Sequence, residues 1–489
     1  MKQLKDLLFG VSLHAVSGTT TLEVGTIHFD SREIGKGDVF VAIRGTAADG
    51  HRFIRAAVKS GARAVICEAL PESLEDGVTY VEVADTQQAL AVMASNFYGN
   101  PSANLRLVGV TGTNGKTTVS TLLYQLFKKA GYKVGLISTI RIMVDDQAFD
   151  TRLTTPDSLT INKYLARMNE AGVEFCFMEA SSHGIAQRRT EGLQFEGAVF
   201  TNLSHDHLDY HKDFADYRNT KKRLFDGLSK SAFALTNGDD KNGLFMIQNT
   251  RARKYTYALR SYADYRAQIL EQQLDGQLLK IQENEVWTKL IGQFNAYNIL
   301  AIYATASLLG LEQLEILKLI SGLQTVDGRF QYFVSKQRIT AIVDYAHTPD
   351  ALKNVLVTIN ALRTGNERVI TVVGCGGDRD KSKRPVMGHI ASDMSQTTIF
   401  TSDNPRSEPP RAIIAEMEAG VEPQNTRKVL SIEDREQAIR TACKMAAGGD
   451  IILIAGKGHE TYQEIAGVRR DFDDYKLVSE VLEHLASEV

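Results

Sequence analysis

The decapeptide GVTGTNGKTT, Gly109 to Thr118, constrains this chain more than any other stretch. It stands between LRLVGV, an apolar run that reads as a buried strand, and a segment in which Val119, Leu122, Leu123, Leu126, Phe127 and Ala130 recur at helical spacing. That periodicity predicts an amphipathic helix with Gly131 as its stop. A strand, a glycine-rich turn and a helix in this order bring backbone N–H groups and a helix N-terminus to one point, which suits a phosphate. Lys116 would supply charge for the outer phosphates and Thr117 an oxygen for Mg2+. Val110 stands where the strict GxxxxGK[ST] pattern has its first glycine, and the glycines here are Gly109, Gly112 and Gly115. A purely structural loop is the alternative. Strand, loop, GKT and helix together favour a nucleoside triphosphate held by Gly112, Thr113, Asn114, Gly115, Lys116, Thr117 and Thr118.

Strand and helix patterns alternate around this unit almost throughout, so the fold class expected is α/β. With 489 residues and about 150 per domain, three domains are expected. In the first hundred residues, DVFVAI reads as a strand, HRFIRAAVKSGA as a helix and RAVICEA as the next strand. YGNPSANLR, with its Asn-Pro turn, marks a boundary. A second series begins at LRLVGV and ends near GLQTVDGRFQ; a third opens with RITAIVDYA.

Lys plus Arg (56) nearly balances Asp plus Glu (59), which argues against nucleic acid and for a small ligand. Cys67, Cys176, Cys375 and Cys443 are far apart and form no CxxC pair. That argues against a zinc ribbon or a disulfide framework and fits a reducing cytoplasm. No apolar run approaches the ~20 residues of a membrane span, and MKQLKDLLFG does not read as a signal peptide. A cytoplasmic protein is expected.

In the third series the apolar runs TAIVDYA, RVITVVG, TTIFTS and DIILIAG are followed at once by HTPD, CGGDRDKSKR, DNPRSE and KGHE. Ligands of open parallel sheets bind at the carboxyl ends of strands, so these four loops should line one edge and form one site. Short turns alone do not call for Asp344, His347, Asp378, Arg379, Arg384, Arg406, Lys457 and Glu460. In DNPRSEPP the prolines keep the backbone out of helical geometry, so the loop should be ordered and aim Asp403, Asn404 and Arg406 at a ligand.

Upstream, the run EFCFM delivers Glu179 to a strand end, and FTNLSHDHLDYH follows. Glu179 with Thr117 and phosphate oxygens is a sensible Mg2+ shell, since that ion prefers oxygen. The cluster His205, Asp206, His207, Asp209 and His211 invites a zinc reading. With no cysteine nearby, one imidazole on a second magnesium ion fits better, and solvated histidines are the plain alternative.

Taken together these segments resemble the Mur ligase family, in the branch that adds the third residue of the peptidoglycan stem peptide. The likeness runs through DSR, DGH, TGTNGKTT, TTP, MEASSHG, FTNLSHDHLDYH, YRNTKKRLF, GQFNAYN, DGRF, DYAHTPD, GCGGDRDKSKRP, DNPR and AGKGHE. It implies a UDP-sugar domain over residues 1–103, a central P-loop-type ATP-binding domain with a mainly parallel sheet over 104–331, and a C-terminal Rossmann-like amino-acid-binding domain over 332–489.

By position the resemblance implies that Ser31, Thr46, Ala47 and Ala48 meet the UDP-sugar. Thr154, Thr155, Ser181, Gln187 and Arg189 would hold the muramoyl-dipeptide, and Asn295, Arg329 and Asp344 would lie near the nucleotide. Thr117, Glu179, His207 and Lys221 would hold magnesium, Lys221 as a carbamate derived from CO2, although a lysine at such a helical position is ordinarily solvated. Asp403, Asn404, Pro405, Arg406, Arg384, Gly456 and Glu460 would contact the amino acid. The arginine of DNPR would pair with the distal carboxylate of meso-diaminopimelate, which lysine lacks, and Glu460 would face its distal ammonium.

The activity implied is ATP-dependent amide formation on UDP-N-acetylmuramoyl-L-alanyl-D-glutamate through an acyl phosphate, with Lys116, Lys221, His207 and Glu179 as the catalytic set and the chain acting as a monomer. Three alternatives stay open: the same reaction with L-lysine, a folylpolyglutamate synthase-like ligase, and a binding protein that uses ATP as a switch.

Overall fold

The structure is a computed structural model that describes residues 2–45, 48–151 and 153–487. Thr46 and Ala47, expected to meet the UDP-sugar, lie outside the described residues. Three sheets in chain order carry the architecture. The first has five strands, ordered Leu13–Ser17, Thr79–Val83, Ala64–Cys67, Val39–Val41 and Ile27–His28, parallel except at the Leu13–Ser17 edge. The helix Thr86–Phe97 packs its buried Ala89, Leu90 and Met93 into the core beneath this sheet.

The central sheet has eleven strands. Its middle is parallel and runs Val134–Ile137, Phe175–Glu179, Arg106–Thr111, Gly197–Phe200, Phe233–Asn237, Arg253–Ala258. All but the last are buried on both faces, as parallel strands between helices must be, and read as largely apolar segments, while Arg253–Ala258 is exposed at its start and buried only at Tyr257 and Ala258. One edge is extended by the antiparallel pair Ile142–Val144 and Gln147–Phe149. The other is extended by Tyr265–Gln273, Gly276–Ile281 and Asn284–Thr288. The helix expected after the glycine-rich loop is Lys116–Lys129, and it buries Val119, Leu122, Leu123, Leu126 and Phe127. Full burial of each such side chain contributes roughly 1.5–3 kcal/mol. This one helix therefore anchors the loop at its N-terminus to the largest core of the molecule.

The third sheet is ordered Gln331–Val334, Thr340–Asp344, Ile451–Ala455, Val369–Val373, Thr397–Phe400, Val429–Ser431. All pairings but the first are parallel. The four apolar runs singled out in the sequence are therefore adjacent parallel strands, and their following loops do share one edge. The C-terminal ends of the central and third sheets face each other across a cleft. Asn114 Nδ2 donates to Asp350 Oδ2 across it at 3.1 Å. His205 Nε2 lies 3.3 Å from Asp380 Oδ2.

Candidate active site

The strand Arg106–Thr111 ends at Gly112, whose φ of +150° and crowding exclude a side chain: a Cβ there would lie 1.9 Å from Thr201 Oγ1. The chain turns back so that Lys116 Nζ donates to the carbonyls of Gly112 (3.0 Å) and Thr113 (2.8 Å). An ammonium held only by neutral carbonyls is available to a stronger, anionic partner such as a phosphate. Burial lowers the Lys116 pKa, partly offset by Glu179 and Asp206. Thr113, Asn114, Gly115, Lys116, Thr117 and Thr118 line one cavity, and Asn295, Arg329 and Asp344 line it too. Gly112 contributes its carbonyl and does not line the cavity.

The cavity is also lined by Asp239, Arg260 and Tyr297, which the sequence analysis did not single out. Asp239 accepts from Tyr297 Oη at 2.7 Å and from the backbone of Leu259, Arg260 and Ser261. This fixes a polar wall of the cavity. Asn295 ties itself to the carbonyl of Ile291 (2.9 Å) and receives Asn298 Nδ2 at 3.1 Å.

Glu179 arrives at the end of the strand Phe175–Glu179 and is fully buried. Thr117 Oγ1 donates to its Oε2 at 3.0 Å and Thr139 N to its Oε1 at 2.7 Å. Arg329, from the link between the central and third sheets, donates through Nη2 to Thr117 Oγ1 at 3.1 Å. The Arg329 Nε is buried without a partner, a donor left for an anion. Asp344 ends its own strand and accepts from Phe330 N at 2.6 Å. Burial raises its pKa to about 6, with Arg329 pulling the other way.

Lys221 lies on the helix Phe214–Asp226 and is 1% exposed, so the ordinary solvated fate of a helix lysine does not hold. Its Nζ donates to Gly112 O at 2.9 Å. Burial, then Lys116, pushes its pKa well below the usual lysine value. A buried neutral amine is the form that adds CO2, and the product would be an oxygen ligand of opposite charge. Thr117, Glu179 and His207 line the first cavity and are donors that suit magnesium held together with phosphate oxygens, whereas Lys221 lines neither cavity. A zinc centre made of protein ligands alone does not fit: among the described residues no three His, Cys, Asp or Glu side chains are grouped to hold a metal. The His183 and His207 rings instead pack edge to face, with centroids 4.9 Å apart.

A second cavity adjoins the first at Lys116, Thr139, Thr154, Asp206, His207, Tyr345 and His347. Thr154, Thr155, Ser181 and Arg189 line it. Arg189 Nη1 donates to Thr155 O at 2.5 Å and Nη2 to Gln187 Oε1 at 2.6 Å. Gln187 supports Arg189 from behind and does not line the cavity. Ser31 and Ala48 lie outside the lining of both cavities.

From the third sheet come Asp403, Asn404, Arg406, Gly456 and Glu460. Asn404 Nδ2 donates to Glu460 Oε2 at 2.7 Å, and Lys457 Nζ reaches the same oxygen at 3.1 Å. Burial, then Asp403, raises the Glu460 pKa. Pro405 shapes the turn without lining the cavity. Arg384 departs from expectation. It is fully buried, it donates to Glu408 and Glu416, and it does not line the cavity. Its charge is already matched, so it is not placed to receive a ligand carboxylate. Arg379, five positions earlier in the loop that leads into the helix Lys383–Met394, lines the cavity instead. Spacing alone did not separate these two arginines, because both lie in DRDKSKR.

Three family models match the chain: Mur ligase family, catalytic domain over residues 23–98, Mur ligase middle domain over 110–306, and Mur ligase, glutamate ligase domain over 328–458. The chain is 54% identical to the UDP-N-acetylmuramoyl-L-alanyl-D-glutamate--2,6-diaminopimelate ligase of Cytophaga hutchinsonii, over 99% of each sequence. It is 52% identical to the ligase of the same name from Phocaeicola vulgatus, over 98% of this chain and 99% of the relative. A solved structure of a ligase of that name superposes with a TM-score of 0.69 at 32% identity and covers 99% of both chains.

Proposed function

The chain belongs to the Mur ligase family, and from that membership we propose that it joins meso-diaminopimelate to the D-glutamyl γ-carboxylate of UDP-N-acetylmuramoyl-L-alanyl-D-glutamate. ATP is converted to ADP and phosphate, and the product is a cytoplasmic precursor of peptidoglycan. The observation that carries this reading is the 54% identity, end to end, with a ligase named for those two substrates. Residues 1–103 would take the UDP-sugar, 104–331 the nucleotide, and 332–489 the incoming amino acid. The spans of the three sheets support this division. A reducing compartment is supported by four free, buried cysteines. Among the described residues no helix is long and apolar enough to cross a membrane.

The γ-carboxylate attacks the γ-phosphorus of ATP, ADP leaves, and an acyl phosphate forms. The amine at the L-centre of meso-diaminopimelate then attacks the acyl carbon. The C–N bond forms, the C–O bond to phosphate breaks, and the amine's protons pass to solvent. Lys116 meets the outer phosphates at a water-poor site, where electrostatic interactions are strong. Arg329 adds a second cation from the link between sheets. Asn295 and the wall around Asp239 accommodate the nucleoside. Thr154, Thr155, Ser181 and Arg189 orient the dipeptide beside the phosphate loop. Magnesium, when bound by Thr117, Glu179, His207 and carbamylated Lys221, supplies positive charge for the phosphate oxygens. Closure near residues 325–329 brings amine and acyl phosphate together and excludes water.

At the amino-acid end, Arg406 and Arg379 offer two guanidinium groups to the distal carboxylate, and Glu460 faces the distal ammonium. L-Lysine would leave those arginines without a partner. A site built around such a group can reject an analogue lacking it by up to about 10⁴-fold. Mass analysis of the product formed from an equal mixture of the two amino acids tests the assignment: the diaminopimelyl tripeptide alone is expected, and a lysyl product would overturn it. The Lys116→Ala variant should lose turnover while still binding the UDP-dipeptide in titration calorimetry. Loss of both would place Lys116 in folding instead of chemistry.

A further inference from the structure

We propose that Glu408, through its pairing with Arg384, is the positioning residue that sets the aim of Arg406 and hence the selection of the amino acid. The proposal rests on the reading of Arg406 as the partner of the distal carboxylate.

Arg406 has φ of +52°, a left-handed backbone that costs a non-glycine residue on the order of 1 kcal/mol and persists only where the surroundings over-determine it. Two backbone bonds to the hairpin Tyr462–Ile465 and Val468–Asp471 hold it: Arg406 N donates to Glu464 O at 3.1 Å, and Ala466 N donates to Arg406 O at 2.7 Å. The guanidinium itself is tethered at one point, Nη1 donating to Gly377 O at 2.7 Å. Where that carbonyl sits therefore decides where the guanidinium points.

Gly377 belongs to the neighbouring strand-end loop, and Glu408 fastens the two loops together. Asp378 N donates to Glu408 Oε1 at 2.6 Å. Arg384 clamps the same carboxylate from the buried side, Nη2 to Oε1 at 2.8 Å and Nη1 to Oε2 at 3.0 Å. Lys381 reaches Oε2 from outside at 3.2 Å. A lesser tie repeats the arrangement one residue along, where Ser407 Oγ donates to Asp378 Oδ1 at 2.6 Å. There is no slack between the loops: a Cβ on Gly377 would lie 1.9 Å from Pro405 O. Arg384 hydrogen bonds hold the Glu408 carboxyl at a pKa of about 2, so the clamp is ionised across the working range of pH.

Small displacements of a reading group are costly, about 10²-fold for 1 Å in well-aligned sites. Glu408→Gln keeps the side chain's shape and removes its charge. The variant should raise KM for meso-diaminopimelate by ~10-fold and lower the preference for it over L-lysine by a similar factor. KM for ATP and for the UDP-dipeptide should stay within about twofold, a split that a general loss of structure would not give. Ser407→Ala, at an exposed contact, should shift the same ratio in the same direction by less, and it decides the matter if Glu408→Gln fails to fold by circular dichroism. A folded Glu408→Gln, or failing that Ser407→Ala, with unchanged selectivity overturns the proposal, as does equal damage to all three substrates. A wild-type enzyme indifferent to the two amino acids overturns the reading of Arg406 and the proposal with it.

Discussion

Single side chains decide most of the chemistry here, and burial decides which of them are available. Asp344 is an instance in which stability and function are opposed. Its folded pKa of about 6 lies above its ordinary 3.8. Between those values the folded state binds the extra proton, so the contribution to stability is fully present below about pH 4 and is lost as pH rises through 6. Asp344→Asn should therefore raise the melting temperature at pH 8 by an amount worth at most on the order of 3 kcal/mol, and flatten the melting temperature between pH 4 and 6. Turnover should fall, because Phe330 and the neighbouring Arg329 lose an anionic partner. Thermal melts across pH check the first part, and steady-state rates the second. Arg379→Ala should weaken use of meso-diaminopimelate with ATP binding intact, and an unchanged KM for the amino acid would remove Arg379 from the site. The sequence showed the residue types of the site well and their burial poorly. Lys221 reads as a surface lysine until a helix turns it inward, and Arg384 and Arg379 are indistinguishable until Glu408 and Glu416 are seen beside one of them.

Elements that carry their own local signal were legible, and those defined only by a neighbour were not. The strand Arg106–Thr111 and the helix Lys116–Lys129 follow from apolar runs and spacing. The four strands that frame the amino-acid site follow in the same way. The hairpin that braces Arg406 did not, since the segment from Tyr462 to Asp471 is polar and takes its structure from pairing across Ala466 and Gly467. The extension from Tyr265 to Thr288 was equally silent. Helix caps also act between elements. Asp85 accepts from the N–H groups of Gln87 and Gln88 at the start of Thr86–Phe97, and its other oxygen accepts from Arg188 Nε at 2.7 Å. Asp85→Ala should cost about 1 kcal/mol for the lost cap. It should also loosen the first sheet from the segment that carries Ser181 and Arg189, so KM for the UDP-dipeptide should rise more than KM for ATP. Denaturant titration and substrate-specific kinetics separate the two effects.

At the scale of the whole molecule, the central and third parts of the chain line the two adjoining cavities, and among the described residues none of the first hundred does. Between the second and third parts, Asn114 meets Asp350 and His205 meets Asp380, while Ile291 and Phe294 of the second pack into the apolar core of the third. Rotation about that apolar contact, with the polar ties parting, would admit three substrates and then exclude water. The central and third series were legible because LRLVGV and RITAIVDYA are apolar runs, but their mutual placement was not, since it rests on contacts between residues far apart in sequence.

The central claim is that this chain couples ATP to amide formation and reads a distal carboxylate on the incoming amino acid. Its most direct test is phosphate release with ATP, magnesium and UDP-N-acetylmuramoyl-L-alanyl-D-glutamate, with meso-diaminopimelate in one series and L-lysine in the other. Release dependent on meso-diaminopimelate and absent with L-lysine is the predicted result. Release with L-lysine at a comparable rate would contradict the role given to Arg406, and release with neither would contradict the ligase itself.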